Sequence, residues 1–247
     1  YGEYSWWSES IKYAADNGAD VINMSEGGDD YSETLETAIK YALKRGAFIV
    51  AAMMNKGDQR DYYPASFKGV FAVGATDTDD NRCTRFSWGG GSCYGRHIAV
   101  VAPGNKIYGL DFEDINDFSV YWSGTSQSTA IVSALASLLL SQNNTRTSKD
   151  LERIIKSTSR DQVGDPDEDT PGWDKYYGYG RVDSFLALTY DSPPELQKKI
   201  RELEKRTNDQ RIKKDTKDDG SSTKGAKKPS NTEADSKTKS RPSSPDN

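Results

Sequence analysis

Two short runs constrain this chain more than any other feature: Ala47-Phe48-Ile49-Val50-Ala51-Ala52 and Gly69-Val70-Phe71-Ala72-Val73-Gly74-Ala75. A strand with one face in water alternates apolar and polar residues, so an unbroken apolar run predicts a strand covered on both sides. Ala19-Asp20-Val21-Ile22-Asn23-Met24 reads as a third strand. One helical stretch precedes these strands and another falls between the first two in sequence. Ser5 to Asn17 carries Trp6, Trp7, Ile11, Ala14 and Ala15 and stops at Asn17-Gly18, a usual helix terminus. A second helix runs to about Lys44, with Asp30 and Glu33 spaced for a capping box at its start. Strand–helix–strand alternation of this kind predicts an α/β fold, a parallel sheet with helices on both faces. The loops that leave the strand C-termini then line one rim.

On that rim stand Ser25-Glu26-Gly27-Gly28 and Met53-Met54-Asn55-Lys56-Gly57. An asparagine directly after a buried strand can offer its side-chain N–H to an oxyanion in a water-poor cleft. A further stretch, Ser123-Gly124-Thr125-Ser126-Gln127-Ser128-Thr129-Ala130, leads into a run that is small or apolar on every side as far as Leu140. That run predicts a buried helix. Ser126 would lie at its first turn, beside unpaired N–H groups and the positive end of the dipole, where a developing anion is stabilised. The plainer reading of such a serine is a helix cap.

Charge divides the 247 residues in two. From Glu195 onward only six of 53 residues are apolar, with 15 Lys/Arg against 10 Asp/Glu, which leaves 18 basic and 28 acidic residues before it. An acidic body argues against a nucleic-acid footprint. No apolar run reaches the roughly 20 residues of a membrane-spanning helix. After Ser192-Pro193-Pro194 a helix-prone segment carries Leu196, Ile200 and Leu203 in one narrow stripe, and 214–247 has the composition of a disordered tail. The expected division is therefore 1–190, 191–213 and 214–247. Asp165-Pro166-Asp167-Glu168-Asp169 reads as a solvated acidic loop, because Thr170 and Tyr176 stand where a calcium loop needs Gly and Glu. Cys83 and Cys93 flank a Gly-rich turn. A disulfide closing that loop is the favoured reading, with two buried free thiols the alternative.

Six segments in order resemble the C-terminal part of the catalytic domain of the subtilisin-like serine peptidases, the subtilases. They are Asp20 to Ser25, Ile49 to Asn55, Tyr63-Pro64-Ala65-Ser66-Phe67 with Val70 to Ala75, Val101-Ala102-Pro103-Gly104, Gly124-Thr125-Ser126, and Tyr177-Gly178-Tyr179-Gly180-Arg181-Val182-Asp183. The resemblance implies a partial three-layer fold whose N-terminal strands are missing. It makes Ser126 the acyl-forming nucleophile and Asn55 its oxyanion partner, together with the Ser126 backbone N–H. Ser25, Glu26 and Gly27 would pair with an extended polypeptide substrate. Ala52, Met53 and Met54 would line the pocket for the residue before the scissile bond, with a cis Tyr63–Pro64 bond shaping its far wall. It implies no cofactor; some subtilases hold structural calcium, but no ligand set maps onto this chain. It also implies an extracellular or other secretory location.

Two departures matter. Met54 stands where the family usually has Gly, and its Cβ is expected to crowd the pocket. The family's Asp and His lie upstream of the nucleophile, whereas the one histidine here, His97, precedes the strand Ile98-Ala99-Val100-Val101, far from the cleft. A serine hydroxyl needs a base and the base an orienting carboxylate. The expectation is a fragment of an active endopeptidase, inactive alone, whose partner is the missing N-terminal part of the same domain. The alternative is a non-catalytic subunit that binds extended peptides or a partner chain.

Overall fold

The computed structural model describes residues 3–111, 114, 116–199, 202, 203, 205 and 206. The chain divides into two units, Tyr1–Pro193 and Pro194–Asn247. In the second, residues 194–199 are helical, matching the helix-prone segment; Ile200 and the whole of the expected tail 214–247 lie outside the described residues.

The first unit begins with helix α1 (Tyr4–Asp16), strand β1 (Val21–Met24), helix α2 (Glu33–Lys44) and strand β2 (Phe48–Ala52). Strands β3 (Phe71–Thr76) and β4 (Ile98–Pro103) follow, then a two-stranded hairpin, β5 (Ile107–Tyr108) and β6 (Tyr121–Trp122). Helices α3 (Thr125–Gln142), α4 (Ser148–Thr158) and α5 (Ser184–Leu188) complete it. The first four strands form one parallel sheet in the order β1-β2-β3-β4, with Met24 opposite Ala51 and Ala51 opposite Ala72.

Alternate side chains enter two separate cores, which is why the runs contain no polar position. Ile49, Ala51 and Ala72 pack with Ile11, Leu35 and Ile39 of α1 and α2. Phe48, Val50, Phe71, Val73 and Val100 pack on the other face with Val132, Leu135 and Leu139 of α3 and Ile154 and Ile155 of α4. Burying a Leu or Ile side chain stabilises by about 1.5–3 kcal/mol, so the two-sided sheet is where most of the fold's free energy resides. Among the described residues β1 pairs only with β2, and Val21, Ile22 and Asn23 retain exposure.

Local differences from the sequence reading have plain causes. Helix α2 is capped by Ser32, whose side chain accepts from the Leu35 N–H, and not by Asp30. Helix α3 starts at Thr125, so Ser126 lies inside its first turn. Helix α4 carries a full capping box, Thr147 with Asp150. Cys83 and Cys93 are both free and buried, not bridged. Cys93 Sγ instead accepts from the Lys56 N–H at 3.2 Å and packs in the α1–α2 core, whereas Cys83 packs with Ala75 and Phe86. The acidic loop is not simply solvated. Asp169 is buried and accepts from the Val163 and Gly164 N–H groups, and Glu168 pairs with the buried guanidinium of Arg82.

Candidate active site

Helix α3 brings Ser126 to the C-terminal ends of the strands because its first turn is tied to β4. The Gly124 N–H donates to Gly104 O at 2.8 Å, and Ser128 Oγ donates to Ala102 O at 2.9 Å. Gly104 permits this approach: a Cβ there would collide with Ser128 Oγ and lie 2.6 Å from Ala75 Cβ. The N-terminal end of α3 therefore lies at the rim, with the unpaired N–H groups of its first turn and the positive end of its dipole.

Asn55 lies three residues beyond the C-terminal end of β2, two strands from β4. Its Oδ1 accepts the Thr125 N–H at 2.9 Å and Thr125 Oγ1 at 3.0 Å. With the carbonyl end held by two donors, the amide N–H groups are left to face other partners. A Cβ on Gly124 would stand 3.5 Å from Asn55 Nδ2, so the amide lies directly against the turn that precedes Ser126. The main chain around Asn55 is fixed by the Gly91 N–H donating to Asn55 O at 3.1 Å and the Cys93 N–H donating to Met54 O at 2.9 Å.

Strand β1 supplies the other wall. Ser126 Oγ donates to Ser25 O at 3.0 Å, and Ser25 Oγ donates to Ser126 O at 3.2 Å. Behind them Asn23 Nδ2 donates to Ser25 Oγ at 2.9 Å, and Ser133 Oγ donates to Asn23 Oδ1 at 2.9 Å. Sequence reasoning missed Thr125, Asn23 and Ser133 as supports. The available signal was the polar Asn23 within β1; Thr125 and Ser133 are two of many Ser/Thr positions on α3 and do not stand out. Burial pushes the Glu26 carboxyl above its ordinary range, against backbone hydrogen bonds at Glu26 and Ser25 that hold it down. Gly28 and Tyr63 exchange two backbone hydrogen bonds, 2.9 and 2.8 Å, next to the Tyr63–Pro64 peptide, which is cis as the resemblance implies. Ala52 and Met53 are buried, Met53 in the core beside α1 and α2, while Met54 is only partly buried.

The structure thus gathers Ser25, Gly27, Met54, Asn55 and Ser126 on one rim and leaves His97 out. His97 precedes the N-terminal end of β4, a six-residue strand, so roughly 20 Å of sheet at about 3.3 Å per residue separates it from the rim. Its Nε2 lies 3.3 Å from Ser66 Oγ and its Nδ1 3.6 Å from Asp61 Oδ1. Burial lowers its pKa; Asp61 opposes that shift and Arg96 adds to it. A cavity of about 640 Å³ opens at that same end of the strands, walled by Phe48, Phe71, Trp173 and Tyr179. It has no part in the chemistry at Ser126. No cluster of metal-binding side chains occurs among the described residues, and no helix among them is long and apolar enough to cross a membrane.

The chain as a whole is similar to known proteins. A family model described as the subtilase family matches residues 1–180. The chain is 39% identical over 189 residues to a thermophilic serine proteinase of Bacillus sp. (strain AK1), covering 76% of this chain and 42% of that protein. It is 34% identical over 191 residues to thermitase of Thermoactinomyces vulgaris, covering 76% of this chain and 61% of that protein. Among solved structures, MycP1 from Mycobacterium smegmatis superposes with a TM-score of 0.64 at 28% identity, over 77% of this chain and 55% of that one. The chain therefore spans about two fifths and three fifths of the length of these two curated relatives.

Proposed function

The chain belongs to the subtilase family, and on that premise we propose that it is the nucleophile-bearing part of a serine endopeptidase. The observation that supports this best is the contact of Asn55 with Thr125, the residue directly before Ser126, at the dipole end of a buried helix. Ser126 Oγ attacks the scissile carbonyl carbon, forming the acyl bond, and its proton passes to a base. The negative charge that develops on the carbonyl oxygen is received by Asn55 Nδ2 and the Ser126 backbone N–H. Collapse expels the amine, which takes the proton back from the base, and water then releases the acyl group by the same steps.

The hydroxyl at rest donates to Ser25 O. An extended substrate pairing along Ser25, Glu26 and Gly27 competes for that carbonyl through its own N–H, and the freed hydroxyl turns to the base. His97 is on the wrong end of the sheet for that role. The base and its carboxylate are therefore assigned to residues outside these 247, and the chain alone is expected to be inactive. The free outer edge of β1 is where the remainder of the sheet would pair. One relative is by name a cell wall-associated protease, of Bacillus subtilis, and we assign this protein to the same side of the membrane, with a polypeptide substrate and no cofactor. A non-catalytic peptide-binding subunit is the second reading, favoured by the side chain of Met54 at the pocket.

Peptide hydrolysis by the protein with its flanking sequence, compared with its Ser126→Ala variant, tests the reading. Loss of turnover in the variant is expected. Equal rates in the two would remove Ser126 from its role, and no turnover in either would favour the second reading.

A further inference from the structure

The resemblance places the substrate pocket between the ends of β1 and β2, and one side chain, that of Met54, stands between Gly27 and Tyr63 there. Met54 holds φ at +75°, in the left-handed region that a residue with a Cβ seldom adopts. Such outliers persist where the surroundings over-determine them, and they cluster at functional positions. At this φ the Met54 side chain leaves the line of β2 and lies against Gly27. A Cβ on Gly27 would come within 2.9 Å of Met54 Sδ and 3.5 Å of its Cγ.

The opposite side of the same space is main chain. That Gly27 Cβ would also lie 2.8 Å from Tyr63 O, and Tyr63 is held to Gly28 by two backbone hydrogen bonds. Behind Met54 the packing is closed as well, since it lies against the core that contains Met53 and Ala51. The thioether thus fills the gap between the Gly27 backbone, the Tyr63 carbonyl and the end of β2, with rigid main chain on two sides.

Resting on the assignment of Ser126 as nucleophile and of residues 25–27 as the substrate strand, we infer that Met54 closes the pocket for the residue before the scissile bond. The protein then cleaves after glycine, alanine or serine and rejects large aliphatic and aromatic residues. Size, set by the thioether, outranks the charges of Glu26 and Lys56. The Glu26 carboxyl is engaged by backbone N–H groups, and Lys56 is exposed and bridges to Gly91.

The test uses the protein with its flanking sequence and three covalent probes: a fluorophosphonate without a peptide, and peptidyl diphenyl phosphonates ending in alanine or in phenylalanine. The wild type should react with the first two and more slowly with the phenylalanine probe, by at least the roughly 10- to 200-fold that a single methylene of misfit produces. Met54→Gly, which suits the positive φ, should raise the ratio of the phenylalanine to the alanine rate by a similar factor, each rate taken relative to the variant's own fluorophosphonate rate. Wild-type protein that takes the phenylalanine and alanine probes equally, while reacting normally with the fluorophosphonate, overturns the role of Met54 and leaves that of Ser126 intact. Failure with all three overturns both.

Discussion

Thr125→Val separates holding the oxyanion donor from being it. Thr125 is fully buried, and its N–H and Oγ1 both donate to Asn55 Oδ1, at 2.9 and 3.0 Å. Valine keeps the shape and the N–H and removes one neutral hydrogen bond. The net worth of such a bond is about 1 kcal/mol, or roughly a fivefold fall in turnover at 1.36 kcal/mol per tenfold. Asn55→Ala removes the donor itself, for which the known range, measured on subtilisin, is about 100- to 1,000-fold. Both losses arise in the transition state, so kcat falls and KM stays. Because Thr125 acts only through Asn55, adding Thr125→Val to Asn55→Ala should change nothing further. Steady-state kinetics of the four proteins, made with their flanking sequence, provide the assay. A double variant whose losses multiply, or a Thr125→Val effect confined to KM, would refute the reasoning.

Three further outcomes follow from the packing. Arg82, 8% exposed, is paired twice with Glu168 and lies over the rings of Tyr94 and Tyr176. Glu168→Gln strands that charge and should lower stability by about 3 kcal/mol in urea titration; a change under about 1 kcal/mol contradicts the clamp. His97, its pKa lowered by burial, is neutral in the fold, so the unfolded chain binds the proton first as pH falls. Its contribution is present above about 6.5 and is lost as pH drops through the lowered folded value; His97→Gln should lose less stability between neutral and mildly acidic pH, and equal losses would reject this. The isolated 247 residues, with the edge of β1 unpaired and Trp6 and Tyr13 exposed, should bind a hydrophobic dye; a monomeric, dye-negative sample that melts cooperatively contradicts that.

The sheet was legible because its order depends on burial alone. Runs such as Phe48 to Ala52 and Phe71 to Ala75 have no polar position, and only a strand covered on both faces tolerates that. Helix α3 was legible for the same reason. The supports of the site were not, since Ser25, Asn23 and Ser133 meet across about 100 residues of chain through hydrogen bonds that have no local pattern. Cys83 and Cys93 misled by their spacing: sequence proximity suggested a bridge, but each thiol is committed to a different core. The acidic loop misled by composition, because Asp169 and Glu168 are turned inward by N–H groups and by an arginine distant in sequence. Met54 was legible as a departure, but its direction depended on a backbone angle that no residue pattern encodes.

The central claim is that one serine is acylated, and the fold contains a second serine beside a histidine, Ser66 next to His97. Treating the protein and its flanking sequence with a fluorophosphonate, then locating the added mass by fragmentation, distinguishes the two directly. The adduct is expected on Ser126 alone. An adduct on Ser66, or on neither serine in a protein that cleaves peptides, would contradict it.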